Sequence, residues 1–242
     1  MKAIILAAGY ATRLYPLTEN FPKPLLEAGG KPILDWLVDD LTGVIDEFVV
    51  VTNHKFSGIF ESWAAGKQNV RVIDDGTETN EARLGAVRDI LLACQGIEDE
   101  VFVLAGDNVL DFSLQPFISF AQEKKTSCVM AHHEERLEAL QKTAVITTDE
   151  NGRILTYEEK PRTPRGHLAV PPFYYYRNLD VARIQEALDA GCGYDAPGSF
   201  AAWLSKHTPM HAWMMTGNRH DIGDMKSYEE VRDSYRGPRK DK

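Results

Sequence analysis

The strongest constraint on the fold lies in the first half of the chain, where short, continuously apolar runs alternate with stretches of helical periodicity. Residues 2–7, 48–52, 70–73, 101–105 and 128–131 read as strands, each rich in Val and Ile or apolar throughout. Between them, residues 34–41, 59–65, 84–93 and 114–124 carry apolar side chains at helical spacing. Strands without polar alternation are buried on both faces, and strand and helix in turn build a sheet between helical layers. The expectation is an α/β fold with right-handed crossovers and a mixed, mostly parallel sheet flanked by helices.

The second half changes character. Residues 144–148 and 154–158, joined by Asp149-Glu150-Asn151-Gly152, read as a hairpin with an Asn-Gly turn. Residues 173–176 form a further strand, and residues 181–188, 199–205 and 225–235 form helices. Ser199 is expected to cap the second of these helices, and Gly223-Asp224 to precede the third. Residues 211–215 and 220–222 are short strands. No Pro/Ser-rich linker separates the halves, so residues 1–235 are expected to form one domain and residues 236–242 a basic tail.

Acidic residues outnumber basic ones 36 to 27 among 242 residues, a formal charge of −9. That balance excludes a surface that coats nucleic acid or an anionic membrane, and leaves room for a local pocket for a small anion. Cys94, Cys128 and Cys192 are odd in number and widely spaced, so they make neither a disulfide framework nor a zinc pattern. A reducing, cytoplasmic location follows. No run approaches the roughly 18 apolar residues of a membrane span. The apolar start, with one Lys2 before it and Arg13 soon after, is too short for a signal peptide.

The most informative string is Leu6-Ala7-Ala8-Gly9-Tyr10-Ala11-Thr12-Arg13-Leu14-Tyr15-Pro16-Leu17-Thr18, continuing to Pro22-Lys23-Pro24-Leu25. Small residues at 8, 9 and 11 let backbone N–H groups approach a phosphate closely. Arg13 offers a planar fork for phosphate oxygens, and Lys23 a second cation on a loop stiffened by two prolines. Two familiar phosphate motifs fail: G-x-x-x-x-G-K-[ST] is absent, and Ala11 and Leu14 break G-x-G-x-x-G. A small-residue loop alone is ordinary; the full string is a triphosphate cradle.

This string resembles the sugar-phosphate nucleotidyltransferases, which include glucose-1-phosphate thymidylyl- and uridylyltransferases and related cytidylyltransferases. Their pattern, L-A-A-G-x-[GA]-T-R-[LM]-x-P-L-T followed by P-K-P-[LM], is met in full. The resemblance implies a Rossmann-like sheet with a β-hairpin and helix lobe for the acceptor. It also implies a cytoplasmic enzyme, with room for a homo-oligomer, that joins a nucleoside triphosphate (a pyrimidine favoured) to a small phosphorylated acceptor with release of pyrophosphate. Leu6, Ala8, Gly9, Tyr10, Ala11, Thr12, Arg13 and Lys23 would bind the nucleotide. Asn80 and Gly85, on a segment that otherwise reads as a plain helix start, would touch the base.

Asp107, in Gly106-Asp107-Asn108 after a strand, lies where α/β sheets bind ligands, although such a tripeptide also makes ordinary turns. The resemblance pairs it with Asp221 to hold Mg²⁺, an ion that takes one or two carboxylates together with substrate phosphates. Arg13, Lys23, Asp107 and Asp221 are thereby the expected catalytic residues. Relatives carry an aromatic residue two positions before the second aspartate, where this chain has Arg219. Tyr157-Glu158-Glu159-Lys160-Pro161 alone reads as a solvated turn; the resemblance gives Lys160 the acceptor phosphate and Glu159 the acceptor hydroxyls.

Two segments depart from the pattern. Lys142-Thr143-Ala144 replaces a Tyr-Gly, and Val170-Pro171-Pro172-Phe173 replaces a small residue and Gly. Both line the sugar in relatives, so a cytidylyltransferase acting on a choline, glycerol or aminoalkyl phosphate stays open. A non-catalytic nucleotide-binding module is a third reading, disfavoured because both cations and both carboxylates are present. His132 and His133 are neighbours on a strand and face opposite ways, so they do not chelate together. His54 stands at a strand end in a capping or binding position.

Overall fold

The computed structural model describes residues 1–238; of the basic tail, residues 239–242 lie outside the described residues. The chain forms two compact units, each assembled from separate stretches. Every strand expected in the first half is present within two residues of its expected bounds.

The first unit comprises Met1–Arg83, Ala105–Gln115 and the described part of Thr216–Lys242. Its centre is a set of parallel strands, with Lys2–Leu6 beside Glu47–Thr52 and that strand beside Val70–Asp74. Ala3, Ile4, Ile5 and Phe48–Val51 are wholly buried, as two-sided burial requires. Helix Ile33–Leu41 turns Ile33, Leu34, Leu37, Val38 and Leu41 inward at helical spacing. Helix Met225–Ser234 starts at Asp224, whose carboxylate accepts from Ser227 N while the Ser227 hydroxyl takes the reciprocal bond. It places Tyr228 and Val231 in a cluster with Leu14, Leu26, Ile33, Val109 and Ile222. Gly237, within the expected tail, packs its backbone against the Trp36 ring with no room for a Cβ.

The second unit comprises Leu84–Leu104 and Pro116–Met215. Its pairs are antiparallel, in the order Ile154–Glu159, Ala144–Thr148, Leu168–Val170, Ser127–His133, Phe173–Tyr176 and Val101–Ala105. Met210–Met214 adds a parallel pair on Ser127–His133. The mixed sheet flanked by helices is thus present, with parallel pairs in both units. Strand Phe173–Tyr176, from the second half of the chain, lies between Ser127–His133 and Val101–Ala105 and pairs antiparallel with each. Its three tyrosines are buried.

Local expectations shift in three places. Helix Gly198–Leu204 has Pro197 at its N-cap and no side-chain cap, so Ser199 does not serve as one. The helix expected over 181–188 is split into Asn178–Val181 and Ile184–Asp189. The cap beside His54 belongs to Asn53, whose side-chain Oδ1 accepts from Phe56 N at 3.1 Å. His54 instead pairs with Asp74 at 2.6 Å, and this carboxylate raises the imidazole pKa. All three cysteines are free. No helix among the described residues is long and apolar enough to cross a membrane.

Candidate active site

The loop after strand Lys2–Leu6 is anchored at both ends and left open between them. Ala7 N donates to Val51 O at 2.9 Å, and the buried Asn53 amide donates to Ala8 O at 3.0 Å. The Tyr10 ring packs on Phe56, and its hydroxyl donates to Thr77 O at 3.2 Å. Burial, foremost, raises the pKa of that phenol. Ala11 adopts a left-handed conformation with φ 46°, and its carbonyl accepts from Leu14 N and the Thr18 hydroxyl. Among the described residues the N–H groups of Gly9, Tyr10 and Ala11 donate to nothing in the protein. A Cβ built on Gly9 meets no atom within 4 Å, so open space lies beside the loop. Consecutive unused donors next to open space suit an anion.

Arg13 follows on the turn Thr12–Leu14, exposed, and has no hydrogen-bond or ion-pair partner among the described residues. Lys23 differs. Held in the turn Lys23–Leu25 after Pro22, it is only 8% exposed, and its Nζ donates to Asp107 Oδ2 at 2.6 Å. The juxtaposition comes from close backbone packing at Gly106, whose N–H donates to Leu6 O at 3.0 Å. A Cβ there would lie 3.0 Å from Ile5 Cγ2 and 3.5 Å from Pro24 Cβ. Pro24 and Gly106 thereby set Lys23 beside Asp107.

Asp107 leads into strand Asn108–Leu110, which pairs antiparallel with Arg219–Asp221 in a register that puts Asp221 across from Asn108. The two expected metal residues are therefore brought to neighbouring positions of one two-stranded ribbon. Among the described residues no group of three or more His, Cys, Asp or Glu side chains forms a metal cage. The Asp107 carboxylate, about 40% exposed, fits an ion that draws its other ligands from substrate phosphates and water; the side chain of Asp221 lies outside the described residues.

Glu159 and Lys160 lie in the second unit, at the end of the hairpin. Glu159 pairs with Ala144 across the ladder, and Lys160 N donates to Thr143 O at 3.1 Å with a left-handed φ of 47°. Glu159 Oε2 is buried with no hydrogen-bond partner among the described residues. Burial raises the pKa of its carboxyl, against the smaller pull of the Lys160 ammonium. It fits only because residue 198 is glycine; a Cβ there would collide with Oε2. A pocket of about 230 Å³ is lined by Glu159, Lys160, Thr143, Val170, Pro172 and Tyr174. The Thr143 hydroxyl donates to Val170 O at 2.9 Å, so both segments that depart from the pattern meet in this pocket.

Asn80 and Gly85 each have local partners. Asn80 is in the first unit, where its amide oxygen accepts from Arg83 Nη1 at 3.2 Å. Gly85 is in the second unit, with φ 93° and its α-carbon so close to Tyr194 that a Cβ would lie 2.6 Å from the Tyr194 carbonyl oxygen. Packing alone therefore requires a glycine there. Sequence reading gave no role to Asn53, Asn108, Gly198 or Tyr174; Asn53 and Asn108 stand next to residues it did single out, whereas Gly198 and Tyr174 adjoin no expected site residue.

Comparison with known proteins gives the family and the fold. UTP–glucose-1-phosphate uridylyltransferase AglF of Haloferax volcanii is 30% identical, over 73% of this chain and 72% of that protein. The bifunctional protein GlmU of Methanocaldococcus jannaschii is 26% identical over 92% of this chain, which spans about half (51%) of its length. The crystal structure of a Bacillus anthracis protein assigned as a glucose-1-phosphate thymidylyltransferase, in complex with sucrose, shares the fold. Its TM-score is 0.82 at 24% identity, covering 99% of this chain and 98% of that one. The family model for nucleotidyl transferase matches residues 2–237, and the chain belongs to that family.

Proposed function

We propose that this chain transfers a nucleotidyl group from a nucleoside triphosphate to a phosphorylated acceptor, first among them a sugar 1-phosphate. A phosphate oxygen of the acceptor attacks the α-phosphorus, the bond from α-phosphorus to the bridging β-oxygen breaks, and pyrophosphate leaves. The observation that carries this reading is the open loop at Gly9–Ala11, with three unused N–H donors, in the same unit as the Lys23–Asp107 pair. Such transfer asks for little covalent chemistry from a protein and depends on positioning and charge neutralisation.

In this reading the loop donors and Arg13 receive the β- and γ-phosphates, and Lys23 stabilises the α-phosphate. Lys160 holds the attacking phosphate and Glu159 the acceptor hydroxyls. Asp107 and Asp221 would hold Mg²⁺, which when bound supplies positive charge against the phosphate oxygens. A pyrimidine triphosphate is the first candidate, in keeping with the uridylyltransferase relatives; others are named glucose-1-phosphate adenylyltransferases. The three free cysteines support a reducing compartment.

A second reading, transfer to a non-sugar phosphate, is favoured by Thr143 and Pro172 in the pocket wall, where relatives keep Tyr-Gly and a glycine. The deciding experiment is magnesium-dependent pyrophosphate release across common triphosphates, sugar 1-phosphates and small phosphoalcohols. Turnover is expected with at least one pair, falling about 10²- to 10³-fold in Arg13→Ala and Asp107→Ala. Undiminished turnover in both folded variants would overturn the site, and no turnover with any pair would overturn the function.

A further inference from the structure

The carboxylate of Asp107 is held from both sides. Lys23 Nζ donates to its Oδ2 at 2.6 Å, and the Asn108 amide Nδ2 donates to its Oδ1 at 3.1 Å. Asn108 is only 2% exposed, and its Nδ2 also donates to Ala105 O at 3.3 Å. On the other side of the amide, Arg219 Nη1 donates to Asn108 Oδ1 at 2.8 Å. All five residues lie within the first unit.

The polarity of this chain allows one arrangement. A guanidinium has only donors, while a carbonyl and a carboxylate oxygen accept. Asn108 must therefore present its oxygen to Arg219 and its NH₂ to Ala105 and Asp107. The flipped amide would set donor against donor and acceptor against acceptor in a buried place, where unmade hydrogen bonds are costly. The ribbon register explains the reach: Arg219 stands across from Leu110, two residues along from Asn108 and on the same face. Here the chain also departs from its relatives' pattern, with an arginine at the aromatic position.

We infer that Asn108 and Arg219 are positioning residues: the Arg219 guanidinium fixes the orientation of the Asn108 amide, whose N–H fixes the rotation of the Asp107 carboxylate. The inference rests on the proposed function in taking Asp107 as a metal ligand. Outer groups of this kind typically change metal affinity or activity by about 10- to 100-fold when removed. The sign of the effect separates positioning from simple charge. Removing a cation near a cation site strengthens metal binding by Coulomb's law, whereas loss of the relay weakens it.

The test is Mn²⁺ affinity of the purified full chain, read from the electron paramagnetic resonance signal of free Mn²⁺. Circular dichroism and thermal melting check that each variant is folded. Asp107→Ala serves as reference and is expected to lose binding. Asn108→Leu and Arg219→Met are expected to weaken Mn²⁺ by about 10- to 100-fold. Arg219→Lys, which retains a donor of similar reach, is expected to recover most of the loss. In the pyrophosphate assay the same variants should raise the Mg²⁺ requirement more than they lower kcat at saturating Mg²⁺. Should Asn108→Leu fail to fold, the two Arg219 variants decide. Unchanged or tighter Mn²⁺ binding in Arg219→Met, or no recovery in Arg219→Lys, overturns the relay while the loss in Asp107→Ala leaves the metal site standing. Wild-type Mn²⁺ binding that Asp107→Ala does not reduce overturns the metal assignment and the relay together.

Discussion

Lys23 and Asp107 are 84 residues apart in sequence and 2.6 Å apart in space, and each was recognisable from its own short motif. Their contact was not, because it depends on Gly106 and Pro24 packing together. Glu159 was recognisable as well, but its burial was not, since the space it occupies is opened by Gly198, 39 residues later. That burial yields a pH prediction. The folded carboxyl has its pKa above the ordinary 4.5, mainly through desolvation, so between these values the folded state binds more protons than the unfolded chain. Stability supplied by the neutral form is therefore lost as pH rises through that window. Glu159→Gln, neutral at every pH, should melt with the wild type below about pH 4 and increasingly above it as pH rises. Melting temperatures from pH 4 to 8 check this; a constant offset would show that ionisation is not the cause.

At the scale of elements, strands defined by continuous Val and Ile runs were legible because two-sided burial leaves a compositional mark. Caps were less so. Asp224 was found at its helix start, whereas Ser199 and His54 gave way to Pro197 and Asn53. Asn53 shows why: its side chain caps Phe56 N with its oxygen and holds Ala8 O with its nitrogen, joining a turn to the phosphate loop. A local pattern contains the first bond and not the second. Asn53→Ala is expected to cost about 1–3 kcal/mol, because it removes the side-chain donor to the buried Ala8 O while Phe56 N keeps its bond to Asn53 O at 3.2 Å, and to raise the KM for the triphosphate. Urea denaturation and initial-rate kinetics read the two effects; a stability loss with unchanged KM would show that the loop holds its shape without the asparagine.

At the scale of the whole molecule, charge is unevenly spread. Residues 1–32 carry a net +2 while the rest of the chain carries −11. An acidic protein thus concentrates cations on the segment proposed to meet a triphosphate. Because Arg13 is exposed and salt screens exposed charges beyond about 8–10 Å, KM for the triphosphate should rise steadily from 0.05 to 0.5 M salt. In Arg13→Ala the rise should be shallower; an identical salt dependence would remove Arg13 from the phosphate site.

Sequence alone determined the α/β character, the phosphate-loop string and the identity of the charged residues. Burial on both faces of a strand and close approach to a phosphate each leave their trace in consecutive residues. Tertiary structure decided the rest: the strand Phe173–Tyr176 set between two earlier strands, the room that Gly198 leaves for Glu159, and the chain from Arg219 through Asn108 to Asp107. These depend on ladder register and close backbone packing between segments distant in the chain, where a side chain's partner is fixed by the fold and by no pattern of its neighbours.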